Sequence, residues 1–206
     1  MARPQDATGA WKALQTGNQN FVAGTPAHPR QDADIRKVTA DKQKPFAALF
    51  GCADSRLAAE MIFDVGLGDL FVVRNAGQVI AETILGSLEF AVEVLNVPLI
   101  LVLGHDECGA IRSTMNAADG TLAVEGEFIH NLVNRIMPTV QRGLAAGERS
   151  IDDLTTRHIQ DTIEELMERS KLISSRVKTG KLAVIGANYK LELGEVHMVC
   201  SQGEIA

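Results

Sequence analysis

Cysteine is scarce in this chain: three residues in 206, an odd number that builds no disulfide framework. Thiols so few are expected to serve a metal or chemistry in a reducing cytoplasm rather than to crosslink the fold. Positive charge is also short. Twenty Lys and Arg stand against 26 Asp and Glu, a formal net charge of −6, so neither nucleic acid nor an anionic membrane is an expected partner. A small anionic substrate stays open, because a small ion responds to the charges lining its own pocket. Long apolar runs are missing too: Val97–Gly104 (VPLILVLG) is the longest and is far too short to span a bilayer. The opening stretch MARPQDATGAWKAL has neither the basic start nor the apolar segment of a signal peptide. No internal repeat or low-complexity tract is visible.

What is there reads as one α/β domain over 1–206, with 46% hydrophobic and 22% charged residues. Short apolar runs bounded by glycine or charge recur at Phe46–Gly51, Leu70–Val73, Leu99–Gly104 and Leu182–Gly186. Continuous runs of this length suit strands buried on both faces of a parallel sheet. Helical patterns lie between them, over Ala81–Leu95 and in one long stretch from about Asp152 to Val177. The expected fold is a mainly parallel central sheet of four strands with helices on both faces. A fifth, edge strand is expected at Glu195–Cys200, where EVHMVC alternates after a turn at Leu193–Gly194. Residues 1–35 read as an N-terminal helical arm. Trp11, Leu14 and Phe21 share a helix face there, and the proline-marked link GTPAHPRQD follows. The arm is expected to pack on a partner subunit.

Ligands of open α/β sheets gather at the carboxyl ends of the strands, and two motifs sit at such ends. CADSR follows the first apolar run, and GHDEC follows the third. Cys52, His105 and Cys108 form a thiolate–imidazole–thiolate set suited to a zinc ion with one position left open. Two thiolates neutralise the ion's charge, so water bound there is acidified less than on imidazoles and needs help from neighbouring groups. Asp54 can accept a hydrogen bond from zinc-bound hydroxide, and Arg56 can hold Asp54 ionised through a bidentate pair. The same carboxylate could instead ligate the zinc and close the site. Taken singly these features are bland: a core thiol, a His-x-x-Cys step, a loop salt bridge. Their conjunction at two strand ends is the signal. Cys200 reads as a buried thiol. His28, His130, His158 and His197 read as surface or packing residues, and the charges of Arg142–Arg169 as the wet face of a long helix.

CADSR (Cys52–Arg56), VVRNAG (Val72–Gly77) and GHDECGAI (Gly104–Ile111) resemble, in order and spacing, the signature segments of β-class carbonic anhydrases. The resemblance runs from about Trp11 to Tyr189. It implies zinc-dependent, reversible hydration of carbon dioxide to bicarbonate and a proton, with one Zn2+ per subunit, in a homodimer or dimer of dimers whose sites lie between subunits. It further implies that Gln43 bonds substrate from the partner subunit, that Phe71, Phe90 and Ala76 line a narrow apolar pocket, and that the Gly109 amide contacts substrate. A regulated group within the family forms a bicarbonate pocket from a tryptophan, an arginine and a tyrosine. Arg74 and Tyr189 match two of these, but Leu49 stands at the tryptophan position and Gln43 matches the plant-like, non-regulated group, so no such pocket is expected. Two other functions are compatible with the motifs. One is a carbon disulfide or carbonyl sulfide hydrolase using the same zinc. The other is a non-catalytic, zinc-stabilised interaction protein, which has no use for Asp54, Arg56 and Gln43.

Overall fold

Period-two alternation along each strand decides which helices can cover which face. The computed structural model describes residues 3–121 and 125–205. Its strands are β1 Ala47–Cys52, β2 Leu70–Asn75, β3 Leu99–His105, β4 Ala183–Tyr189 and β5 Val196–Gln202. They form one sheet in the order β2-β1-β3-β4-β5, with the first four parallel and β5 antiparallel to β4. In β3, Leu99, Leu101 and Leu103 enter one core, while Ile100 and Val102 enter another. The first core is closed by α1 (Ala7–Val22) through Trp11 and Leu14, by α5 (Gly109–Ala118) through Ile111, and by α6 (Glu127–Ala145) through Ile136 and Val140. The second is closed by α4 (Glu82–Glu93) through Leu88, by α7 (Ile151–Arg169) through Ile159 and Ile163, and by α8 (Lys171–Lys178) through Ile173. Helices therefore lie on both faces, as the apolar runs predict.

Three expectations need correction. β2 is an edge strand with a mostly half-exposed pattern, not a strand buried on both faces. The helix expected from Asp152 to Val177 is two helices. Ser170 leaves the helical region at φ −99°, ψ 100°, its hydroxyl accepts from the Ile173 amide to cap α8 and donates to Glu89, and the chain turns there. The charges of Arg142–Arg169 likewise do not lie on one long helix: the helix breaks between Ala145 and Ile151, placing Arg142 on α6 and Arg169 on α7.

The N-terminal arm contains α1 and α2 (Ala33–Thr39). α1 starts at an Asp6 cap and packs Ala10, Trp11, Leu14 and Gly17 against its own chain. A Cβ on Gly17 would lie 1.7 Å from the Phe63 carbonyl oxygen, so only glycine lets the helix approach the turn after α3 (Ala59–Ile62) this closely. The link after α1 is tied down by two acids: Asp64 accepts from the Ala27 and His28 amides, and Asp69 pairs with Arg30 and Arg3. No helix among the described residues is long and apolar enough to cross a membrane.

Candidate metal centre

β1 and β3 are hydrogen-bonded neighbours in register, Gly51 beside Leu103, so their carboxyl ends open at the same edge of the sheet. Cys52 is the last residue of β1, His105 the last of β3, and Cys108 the residue that precedes α5. Their ligand atoms lie within 4.8 Å of one another, and all three residues are buried. His105 Nδ1 faces the Asp106 carbonyl oxygen at 2.7 Å; a carbonyl only accepts, so Nδ1 carries the proton and Nε2 is the free lone pair. That Nε2 is buried without a hydrogen-bond partner. An orphaned imidazole lone pair between two thiols is costly unless something positive fills the space, and this donor set fits zinc. Hydrogen bonding from Cys108 outweighs burial and, with the Gly77 and Asp54 amides, drives the Cys52 thiol down. Cys108 is pushed up by Cys52 and by burial, which the Ala110 and Ile111 amides oppose only in part.

Asp54 sits on the turn that leaves β1. Its Oδ1 accepts from the Arg56 amide, a local turn bond that holds the carboxylate in place. Arg56 Nε and Nη2 then bond Oδ1 at 2.9 Å and Oδ2 at 2.7 Å, a two-pronged clamp. Arg56's hydrogen bonds outweigh the effect of burial and hold the Asp54 carboxyl well below the usual carboxylate range. Asp54 Oδ2 lies 3.9 Å from His105 Nε2, close to the ligand cluster without joining it.

The other expected site residues divide into two groups. Ala76 begins a short 3-10 turn immediately after β2, and Gly109 is the first residue of α5; both are exposed at the carboxyl edge beside the cluster. Gln43 is exposed in the segment before β1, and Phe71 pairs with Ala48 near the start of β2. Phe90 of α4 packs on Phe71, with ring centroids 6.0 Å apart. A six-residue strand spans roughly 17–20 Å, so Gln43 stands a strand's length from Cys52 of its own chain.

Arg74 does more than the sequence discloses. Its Nε bonds the Cys52 carbonyl at 2.8 Å and its Nη2 the Asp54 carbonyl at 2.6 Å, strapping the ligand and the carboxylate to β2. Leu49 is buried in the core. Cys200 is half-buried rather than buried. His158 is fully enclosed and bonds the Gly77 carbonyl, a specific contact that packing alone does not call for.

A family model described as carbonic anhydrase matches residues 47–196. The chain is 53% identical over 186 residues to carbonic anhydrase 2 of Mycobacterium tuberculosis, covering 90% of this chain and 89% of that one. It is 45% identical over 196 residues to the carbonic anhydrase of Mycolicibacterium smegmatis, with 95% of each chain covered. Among solved structures, the β-carbonic anhydrase CcaA superposes with a TM-score of 0.71 at 25% identity, over 91% of this chain and 94% of that one.

Proposed function

The chain belongs to the β-class carbonic anhydrase family, and on that footing we propose that it hydrates carbon dioxide reversibly to bicarbonate and a proton, with zinc held by Cys52, His105 and Cys108. The observation that carries the metal reading is the buried, partnerless Nε2 of His105 among two thiols. Zinc supplies a Lewis acid that makes water a usable nucleophile near neutral pH. The chain's own groups do the rest. Asp54 Oδ2 accepts a hydrogen bond from the attacking water and turns its lone pair toward the carbon. Arg56 occupies both carboxylate oxygens, which keeps Asp54 ionised and off the ligand cluster. Arg74 fixes the backbone on which Cys52 and Asp54 ride. Gly109, at the positive end of α5, offers its amide to charge developing on the substrate oxygens.

Gln43, Phe71 and Phe90 belong to the pocket of a second copy. The placement of Gln43 before β1 and of Phe71 near the start of β2, towards the opposite end of the sheet from Cys52, and the apolar surface that Phe90 and Val94 leave exposed at 43% and 57%, both favour a dimer as the working unit, alone or paired into a tetramer. The near full-length likeness to carbonic anhydrases favours carbon dioxide over a sulfur-containing heterocumulene.

Stopped-flow hydration measured alongside zinc content tests this reading. The expected result is one zinc per chain with rapid hydration, and Asp54→Asn should keep the zinc yet lose about 100-fold in rate. Cys52→Ser should lose the metal. Full zinc content with no hydration at alkaline pH would favour a structural zinc protein instead.

A further inference from the structure

We infer that His158, on α7, is a positioning residue for the metal centre, acting through the left-handed Gly77 turn to aim the Gly77 amide at the Cys52 sulfur. The inference rests on Cys52 being a zinc ligand. His158 Nε2 lies 2.7 Å from the Gly77 carbonyl oxygen, and since a carbonyl only accepts, Nε2 is the donor. Its Nδ1 is buried without a partner. Burial drives the imidazole's pKa down, which fixes the neutral, Nε2-protonated ring. On the other side of the same residue, the Gly77 amide donates to Cys52 Sγ at 3.3 Å.

The turn between these two bonds does not hold itself. Gly77 at φ 72° is followed by Gln78 at φ 40°, two successive residues in a region most side chains avoid. Such a backbone persists only where its surroundings over-determine it. Three groups do so here. The Asn75 side chain closes the turn on Val79 through both its oxygen and its nitrogen. Arg135 holds the Ile80 carbonyl. Among the side-chain hydrogen bonds of the described residues, that of His158 is the one that grips the carbonyl of the residue whose amide faces the sulfur. Tight packing leaves that residue no choice but glycine, since a Cβ would lie 2.8 Å from Ala110 Cβ and 2.9 Å from Ile136 Cδ1.

A hydrogen bond to a thiolate withdraws charge from sulfur and so from the sulfur–metal bond. In a site with two thiolates this restores part of the acidity that the thiolates remove. His158 therefore tunes the metal from two bonds away, without touching it.

The test uses the full-length protein loaded with cobalt(II), whose thiolate charge-transfer band reports electron density at sulfur. His158→Leu keeps the volume but not the donor; His158→Gln can still reach the carbonyl with an N–H. The expected result is a charge-transfer band moved to lower energy and zinc affinity, by chelator competition, weakened roughly 10-fold in His158→Leu, with both largely restored in His158→Gln. An unmoved band in a His158→Leu protein that is merely less heat-stable would overturn the inference and leave His158 a packing residue. If His158→Leu does not fold, His158→Asn, whose amide stops short of the carbonyl, takes its place with the same two outcomes. A native protein showing no thiolate–cobalt band at all would instead defeat the metal reading on which the inference stands.

Discussion

At the scale of single residues, the proposed chemistry depends on keeping Asp54 beside the Cys52–His105–Cys108 cluster but out of it. Arg56 does this with two parallel bonds on a side chain that is itself half exposed. Removing it frees Asp54 to swing onto the ligand cluster. Arg56→Ala should therefore keep its zinc and lose hydration by about 10- to 100-fold in kcat/KM, measured by stopped flow. Unchanged kcat/KM would reduce the pair to an ordinary surface salt bridge. The meeting of Cys52, His105 and Cys108 and the Asp54–Arg56 pair were legible in the sequence, because these residues lie at or just after a strand end or two residues from their partner. His158 and Arg74 were not. Their partners lie 81 and about 20 positions away, at Gly77 and at the carbonyls of Cys52 and Asp54, and bonds to backbone carbonyls leave no mark on the partner's side chain.

Among the elements, the link after α1 carries a titratable fastening. Burial pushes the Asp64 carboxyl up, but the Ala27 amide, the Asn20 side chain and the His28 amide together outweigh it and leave its pKa lowered. A carboxylate whose pKa is depressed in the fold contributes stability that is complete above its unfolded value, near 4, and that is lost as pH falls through the folded value. Asp64→Asn should cost about 1–3 kcal/mol at pH 7, and the gap between variant and native protein should narrow below about pH 4. Urea unfolding at pH 7 and pH 3.5 measures both. A gap that stays constant with pH would mean the contacts are held by shape and not by charge. The strands of this fold were readable because both faces of β1, β3 and β4 are buried, which writes a continuous apolar run. β2 carries the same composition at an edge, so burial could not be read from it. The break between α7 and α8 is not marked by glycine or proline: Ser170 makes it by capping the Ile173 amide, and its hydroxyl is anchored by Glu89, which lies 81 positions away in the sequence.

For the whole molecule, the proposed dimer would make the subunit contact part of the chemistry, because Gln43 precedes β1 and Phe71 lies near the start of β2 while Cys52 ends β1. Phe90→Glu places a charge in the exposed apolar patch of α4. Light scattering should then show a smaller assembly, with zinc retained and hydration largely lost. A monomer of full activity would mean that each chain completes its own pocket. The sheet order has a further consequence, for the timing of assembly. β3 bears His105 and leads into Cys108, yet it lies between β1, from the first third of the chain, and β4, which begins at Ala183. The loop holding the ligands is latched to that late segment, for the Asp106 amide donates to the Tyr189 carbonyl and the Leu191 amide donates to the Asp106 carboxylate. All three ligands leave the ribosome long before their latch does. A nascent chain that has reached α5 owns every donor atom but not yet the strand and loop that hold the His105–Cys108 loop in place, so on the proposed zinc reading the site is completed only after β4 is made.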